Sequence, residues 1–282
     1  MIKSFHCYEH DNFRYGDDEV RSFLYTDYSI EPHSHDFYEM NIILGGSGIH
    51  KIEAAEYKVS RGDVFVIPPS AIHAYTSTEE LAVHHILLRK SFIESEEDAS
   101  GFPGFLQLME IEPALRQSYG EAMNLHLDSK ELMELENELS DIADGSRFDK
   151  KSYTPIKRHS VWRIIFKLSY LFSLRISDKK RVPGMRYERQ MLDTLEYIHS
   201  HYSEELTTAE LARRVFLSRS TFLRSFTALS GASPAEYIRA YRRKKARELI
   251  GAGKLSKTEI AHLCGFYDLS HMERVLRTPE KG

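Results

Sequence analysis

The amino-acid sequence predicts an α+β protein in which a β-barrel or β-sandwich with accessory helices precedes an all-α domain. Short β-rich runs separated by turn residues extend from Val20 to Leu88, and helical periodicity replaces them beyond Ser91. The C-terminal third contains two patterns of paired short helices. With 282 residues, 41% hydrophobic and 28% charged, the chain is long enough for two ordinary cores.

The composition favours a cytoplasmic protein that does not contact a membrane. The first 13 residues mix charged and histidine side chains with apolar ones, unlike a signal peptide. No run approaches the roughly 18 apolar residues of a membrane span. Cys7 and Cys264 are the two cysteines, and their separation predicts neither a disulfide framework nor a cysteine metal site.

The charge differs in sign between the two parts of the chain. The whole sequence has a net charge of −4, but residues 187–282 contain 16 Lys and Arg against 12 Asp and Glu. The remaining residues are therefore acidic. A basic terminal module on an acidic body indicates a nucleic-acid partner, although a chance distribution of surface charges remains the alternative.

The β-rich part consists of short runs at regular spacing, which is typical of a barrel or sandwich. Its turns are predicted at GGSG, SRGD and PPSA. The runs are SFLYTDY, FYEMNIIL, GIHKI, EYKV, DVFVI, HAYT and LAVHHILL.

Two amphipathic helices follow the strands. Each has an apolar stripe that must be covered, either by the barrel or by a second subunit. The stripes are Leu132, Leu135, Leu139 and Ile142, and then Val161, Ile164, Ile165, Leu168 and Phe172. The charged segment 177–186, with Pro183 and Gly184, predicts a linker between domains 1–176 and 187–282.

The C-terminal domain begins with a predicted helix-turn-helix. Thr207 and Glu210 form a capping-box pattern for a short helix, which ends before a turn at residues 215–217. Ser218 can cap a second helix whose buried face carries Phe222 and Phe226. Any small helical bundle contains such pairs, so this pattern by itself is only moderately specific.

A long helix and a second unit of the same kind follow. Ser233, Pro234 and Glu236 predict the start of the long helix, and Gly251 predicts its end. Its basic residues, Arg243 and Lys244 among them, form either a solvated face or phosphate contacts. The second unit begins with the SKTE capping pattern, turns at Gly265 and ends with LSHMERVL.

In this arrangement the chain resembles the AraC/XylS family of transcription regulators over roughly residues 188–277. The matching segments are LEYIHSHYSEELT, ELARRVFLSRSTFLRSF, GASPAEYIRAYRRKKARELI and SKTEIAHLCGFYDLSHMERVL. The resemblance implies that the helices beginning at Ser218 and Asp268 enter successive major grooves of double-stranded DNA. The chain departs from the family at Leu276, where phenylalanine is usual, and in its RTPEKG ending, so we expect a less well braced second unit.

The resemblance also indicates which residues contact DNA. Arg224 and Arg274 are the favoured base readers because an arginine can pair with guanine through two hydrogen bonds, although either could hold a phosphate instead. The full set of candidates is Arg219, Ser220, Thr221, Leu223, Arg224, Arg243, Lys244, Ser270, His271, Glu273 and Arg274.

The β-rich half contains a histidine pattern that resembles the two cupin motifs, so we expect a cupin-like barrel. His33, His35 and Glu39 form the first motif and His73 belongs to the second. We expect both histidines and Glu39 on one strand, with His73 on the opposing strand. Imidazoles and a carboxylate suit a divalent transition metal, but sensor domains of this family often carry none, so no cofactor is required.

Neighbouring residues give further candidates and exclusions. Tyr38 and Tyr75 are candidates for the ligand pocket, although barrel aromatics more often belong to the core. Because His84 and His85 are adjacent on a strand, at most one of them can line the cavity.

These features favour a non-enzymatic, sequence-specific transcription regulator controlled by a small effector, expected to be sugar-like, in the barrel. By resemblance, the barrel is also where a homodimer forms, and RNA polymerase is a partner if the protein is an activator. Two alternatives remain open. One is a metal-dependent cupin enzyme with a degenerate DNA-binding half, and the other is a constitutive regulator whose barrel only dimerises.

Overall fold

The computed structural model describes residues 5–8, 13, 19–96, 98–119, 124–143, 150–178, 187–253 and 255–277. The chain forms two compact units, Met1–Lys179 and Lys180–Gly282, and their division falls within the segment predicted as a linker. The helix before it continues to Asp178, into the first two residues of that segment, and the rest of the predicted linker lies outside the described residues.

The first unit is built on a mixed sheet. Its strands pair in the order β1-β3-β7-β4-β6-β8, while β2 also pairs with β7 and β5 with β4. The strands are β1 Phe5–Cys7, β2 Val20–Tyr25, β3 Ile30–His35, β4 Tyr38–Ile52, β5 Ala55–Ser60, β6 Asp63–Ile67, β7 His73–Leu88 and β8 Leu125–His126.

The two longest strands, β4 and β7, correct one sequence prediction. The GGSG segment does not turn the chain, because β4 runs through it and stays paired with β7 across several register shifts. A Cβ atom on Gly46 would lie 2.3 Å from the carbonyl oxygen of Glu80. The glycine therefore allows the two backbones to approach closely at a bulge, and no turn forms at the predicted position.

Apolar side chains fill the inner face of the sheet. Tyr75, Ile43 and Leu81 are fully buried there. The cluster comprises Ile43, Ile52, Tyr57, Val59, Phe65, Ile67, Tyr75, Leu81 and Val83. These residues form a packed apolar core on this face of the sheet.

The helices of the first unit cover its apolar stripes. Helix α1 spans Lys90–Glu94, a π-helical turn at Gln107–Ile111 leads into α2 at Glu112–Tyr119, α3 spans Ser129–Ile142 and α4 spans Lys150–Asp178. All nine predicted stripe residues on α3 and α4 are buried. Helix α4 contacts α3, β8 and the π-helical turn, so both stripes are covered within one unit. None of the described helices combines the length and apolar composition needed to cross a membrane.

The second unit is helical and confirms the predicted caps. Thr207, Ser218, Ser233 and Ser256 each accept a hydrogen bond from a first-turn backbone N–H. The helices are α5 Glu188–His201, α6 Thr208–Arg214, α7 Arg219–Ser230, α8 Pro234–Ala252, α9 Lys257–Leu263 and α10 Leu269–Arg277.

The predicted end of α8 at Gly251 is wrong. The helix continues to Ala252, and Gly253 is the left-handed cap, with a φ of 65° and its N–H donating to the carbonyl of Ile250. Two glycines are available here, and the later one adopts the left-handed conformation that ends a helix. Leu276 packs against the core of the second helix-turn-helix, which includes Ile260, Phe266 and Met272.

Candidate functional site

A cluster of histidines surrounds the carboxylate of Glu39 inside the first unit. His33 and His35 lie on β3, and His33 pairs with His73 at the start of β7. Glu39 lies on β4, which corrects the prediction that it shares a strand with the histidines, because the chain bends at residues 36 and 37. All four side chains are buried.

The carboxylate oxygens of Glu39 face three imidazoles. Oε2 lies 3.1 Å from Nε2 of His35 and 3.5 Å from Nε2 of His73, and Oε1 lies 2.6 Å from Nδ1 of His85. His33, Glu39 and His73 each offer one ligand atom, and these atoms lie within 4.8 Å of one another. The predicted motif residues therefore do come together.

Backbone carbonyls orient two of the imidazoles. Nδ1 of His33 donates to the carbonyl of Glu31 at 3.0 Å, and Nδ1 of His35 donates to that of Phe37 at 2.7 Å. A carbonyl oxygen can only accept, so both Nδ1 atoms carry hydrogen and Nε2 is the remaining ligand atom. A third contact, 3.4 Å between Nδ1 of His73 and Nε2 of His50, holds the ring of His73.

Burial and hydrogen bonding separate the charges in this cluster. Burial lowers the pKa of His73 to about 3 and also lowers the pKa values of His33 and His50. Burial alone would raise the pKa of Glu39, but its contacts with His35 and His85 hold it well below its ordinary value. The cluster is therefore a buried carboxylate beside imidazoles of which His33, His50 and His73 favour the neutral form.

Sequence reasoning missed part of this cluster. His85 faces Glu39, whereas Nε2 of His84 lies 2.7 Å from the hydroxyl of Ser22, in agreement with the alternation predicted for this pair. His50 was not predicted because its strand was expected to be separate from that of Glu39. The pairing of its segment with the start of β7 could not be read from local sequence.

The two candidate tyrosines have different environments. Tyr75 stacks on His50 with ring centroids 4.0 Å apart, and its hydroxyl accepts a hydrogen bond from Asn41 at 3.3 Å. Tyr38 is half-buried, and strand alternation turns it away from the face that carries Glu39. Of these two candidates, Tyr75 borders the cluster.

The second unit exposes the residues predicted to contact DNA. In α7, Phe222 and Phe226 are buried, whereas Arg219 and Arg224 are exposed. In α10, Arg274 is exposed on the face opposite the buried Met272. The remaining candidates, Ser220, Thr221, Leu223, Arg243, Lys244, Ser270, His271 and Glu273, are exposed or half-buried.

Glu273 is among the candidates that already have a partner within the protein. The carboxylate of Glu273 lies 3.6 Å from Lys257 and 3.6 Å from Arg277. This pairing leaves Glu273 less available to a cytosine amino group than the prediction assumed.

Comparisons with known proteins agree with both halves of this description. The AraC-like ligand binding domain matches residues 17–141, and a helix-turn-helix domain family matches residues 211–278. The HTH-type transcriptional activator RhaS of Yersinia pestis bv. Antiqua (strain Angola) is 24% identical over 246 residues, covering 87% of this chain and 84% of that protein.

Two solved structures are also similar. The DNA-binding domain of AdpA in complex with a target DNA is 27% identical, covering 31% of this chain and 79% of that one, with a TM-score of 0.31. ToxT from Vibrio cholerae is 14% identical, covering 92% and 94%, with a TM-score of 0.35. The family matches and the relatives give one conclusion: the chain belongs to the AraC/XylS family of DNA-binding transcription regulators, with an AraC-like ligand-binding domain followed by a helix-turn-helix domain.

Proposed function

We propose that this regulator reads its DNA site with α7 and α10 and that the Glu39 cluster controls the reading. The supporting observation for DNA is the pair of capped helices that expose Arg224 and Arg274 while burying their aromatic or methionine faces. Arginine on an exposed recognition helix can bond O6 and N7 of guanine together.

The test begins with the purified full-length chain and a random-sequence duplex library. We expect enrichment of a discrete sequence, and we expect Arg224→Ala to weaken binding to that duplex by roughly tenfold or more while relaxing sequence preference at one position. Arg189→Ala, which removes an exposed arginine from α5, is the matched control and should bind as the wild type does. Absence of any enriched sequence would contradict the proposal.

The regulatory site that we propose is the cluster around Glu39. Nδ1 of His35 donates to a carbonyl, so a neutral His35 would point the Nε2 lone pair at the Glu39 carboxylate from 3.1 Å. Nε2 of His35 and Nε2 of His73 are buried without a hydrogen-bond partner of good geometry. Nε2 of His35 and the Glu39 carboxylate oxygen, both electron-rich and 3.1 Å apart, require a cation or a proton between them.

A divalent transition metal fits this donor set. His33, His35 and His73 would hold it through Nε2 and Glu39 through a carboxylate oxygen, with second-sphere partners already in place for the imidazoles. Such an ion would act as a Lewis acid that attracts hydroxyl or carboxylate oxygens. The small polar effector, expected to be sugar-like, would then bind at the cluster, beside Tyr75.

Metal content and DNA binding test this site together. Elemental analysis of the purified chain should find about one divalent metal ion per chain, and Glu39→Gln should abolish it. His126→Gln changes an exposed histidine that is paired with Asp63 and should leave the metal content unchanged. Thermal-shift screening with monosaccharides should identify an effector that changes DNA affinity. A chain without metal and without any such effector would contradict this part of the proposal.

The proposal also makes the protein a non-enzymatic homodimer. The named relatives are transcription regulators, which supports a regulatory role for the cluster rather than turnover. The sensor unit is the expected dimerisation domain, and RNA polymerase is the expected partner if the protein activates transcription. Sedimentation of the full chain, with residues 187–282 alone for comparison, would test the dimer.

A further inference from the structure

Two aromatic side chains in the second unit are almost fully exposed. Phe216 is 96% exposed and Tyr267 is 88% exposed, and they are the two most exposed large apolar side chains among the described residues. Each lies in the turn just before a helix proposed to enter DNA. An exposed aromatic ring contributes no burial to folding, so its position calls for another explanation.

Backbone hydrogen bonds show that Phe216 and Gly265 occupy the same position in the two helix-turn-helix units. The N–H of Phe216 donates to the carbonyl of Arg213, and that of Leu217 donates to Ala212. In the second helix-turn-helix, the N–H of Gly265 donates to the carbonyl of His262 and that of Phe266 to the carbonyl of Ala261, with the same spacing. The first helix-turn-helix therefore carries phenylalanine where the second carries glycine.

This position disfavours phenylalanine. Both residues are left-handed, with φ values of 56° for Phe216 and 70° for Gly265. A Cβ atom strains such a backbone, and the exposed ring of Phe216 offers no packing in return. At Gly265 the glycine is also required sterically, because a Cβ atom would lie 2.5 Å from the carbonyl oxygen of Ser203. Folding thus explains Gly265 but does not explain Phe216.

The second helix-turn-helix carries its exposed aromatic ring at a different position of the turn. Its turn has one more residue than the first, since Tyr267 follows Phe266 and precedes Asp268, whose carboxylate accepts the N–H of His271. The extra residue carries the exposed ring. Each helix-turn-helix therefore has one exposed aromatic side chain next to the N-terminus of its second helix, α7 or α10.

The partner proposed for both helix-turn-helix motifs is the DNA duplex. The backbone around Phe216 carries the exposed cations Arg213, Arg214 and Arg219, which complement phosphates. We propose that Phe216 and Tyr267 pack their rings against deoxyribose at the edge of the major groove, beside the phosphates that these cations neutralise. This inference rests on the proposed entry of α7 and α10 into the grooves.

A contact with sugar has a distinctive signature. Deoxyribose is present at every nucleotide, so loss of the ring should weaken binding to all duplexes equally. The contact releases no counterion, so the slope of log affinity against log salt should stay the same. A base-reading arginine instead alters sequence preference, and a phosphate-binding cation alters the salt slope by about 1.

The decisive variant is Phe216→Gly in the full-length protein, because it installs the residue used at the equivalent position. We expect a roughly fivefold to tenfold loss of affinity, equal for the selected duplex and for a scrambled duplex, with an unchanged salt slope. The unfolding temperature should be unchanged or raised, since strain is relieved. Tyr267→Ala should behave similarly in binding, and Tyr267→Phe should retain most of the affinity.

Other outcomes overturn the inference. Wild-type affinity in Phe216→Gly would exclude the sugar contact, while loss of transcription at wild-type DNA affinity would assign the ring to a protein partner instead. A loss accompanied by a changed salt slope or sequence preference would also contradict it. Failure of the proposed function is distinguishable, because Arg224→Ala would then show no loss of sequence preference, whereas the scrambled duplex still measures the contribution of Phe216.

Discussion

Nδ1 of His85 lies 2.6 Å from Oε1 of Glu39, although the backbone partner of Glu39 on β7 is Leu87. The same carboxylate reaches His73 at the opposite end of β7, where Oε2 and Nε2 are 3.5 Å apart. One side chain thus links two distant parts of a single strand. The register makes His85 a diagonal neighbour of Glu39 on the same face, whereas the contact with His73 requires the strand to bend, because twelve residues of a straight strand span about 40 Å.

Glu39→Gln should destabilise the first unit. The carboxylate is buried, accepts a hydrogen bond from His85 and lies 3.1 Å from Nε2 of His35, so an amide at this position leaves at least one imidazole poorly paired. We predict a loss of about 2–4 kcal/mol in the free energy of unfolding, measured by urea titration. Glu56→Gln removes an exposed carboxylate 2.8 Å from Lys51 and should change stability by less than about 1 kcal/mol. Equal effects of the two changes would contradict this assignment.

The free energy of unfolding of the first unit, measured without metal, should fall below neutral pH. His73 has a folded pKa of about 3 against an ordinary value of 6.5, so the unfolded chain binds a proton that the folded chain does not. The stabilisation is complete above pH 6.5 and is lost as the pH falls toward 3, with a slope of up to about 1.4 kcal/mol per pH unit. His33 and His50 are shifted in the same direction and add to the effect.

The single tryptophan of the chain, Trp162 on α4, provides the signal for this measurement. Urea titrations in EDTA at pH 7.5, 6.5 and 5.5 should show decreasing unfolding free energy, and His73→Gln should flatten the profile. A pH-independent unfolding free energy in the wild-type chain would show that the buried histidines are not held neutral in the folded state.

Breaking the buried ion pair between Glu112 and Arg116 should be strongly destabilising. Nε of Arg116 donates to Oε1 of Glu112 at 2.7 Å, and Nη2 donates to the carbonyl of Val66 at 3.0 Å, which ties α2 to β6. We predict that Glu112→Gln lowers the unfolding free energy by about 3–5 kcal/mol, because the guanidinium stays buried without its anion. The double variant Glu112→Gln with Arg116→Met should lose much less than the sum of the single losses; additive losses would show that the pair is not coupled.

Gly265→Ala should disrupt the second helix-turn-helix far more than Gly231→Ala disrupts the end of α7. Both glycines have a φ of 70°, so both substitutions strain the backbone by about 1 kcal/mol. Only at Gly265 does the added Cβ meet backbone, 2.5 Å from the carbonyl oxygen of Ser203, whereas nothing lies within 4 Å at Gly231. Thermal unfolding should therefore separate the two by more than about 2 kcal/mol, and similar losses would mean that Ser203 can move aside.

The helical domain was predictable almost in full from local sequence. Capping residues such as Thr207 and Ser233 act within one turn of their own position, so reading them requires no knowledge of distant contacts. The end of α8 was misplaced by two residues because Gly251 and Gly253 are equally capable of the left-handed cap. Both glycines lie in open space, so a local pattern gives no reason to prefer the later one.

In the first unit, the strand-rich class, the histidine motif and the opposite orientations of His84 and His85 follow from the sequence alone. Those conclusions depend on strand periodicity, which is a property of adjacent residues. Three further features emerge only in the folded chain: β4 continues through GGSG, Glu39 lies on a different strand from His33, and His50 and His85 join the cluster. Those contacts join residues that are far apart along the chain, and they depend on how the sheet bends, which no local pattern encodes.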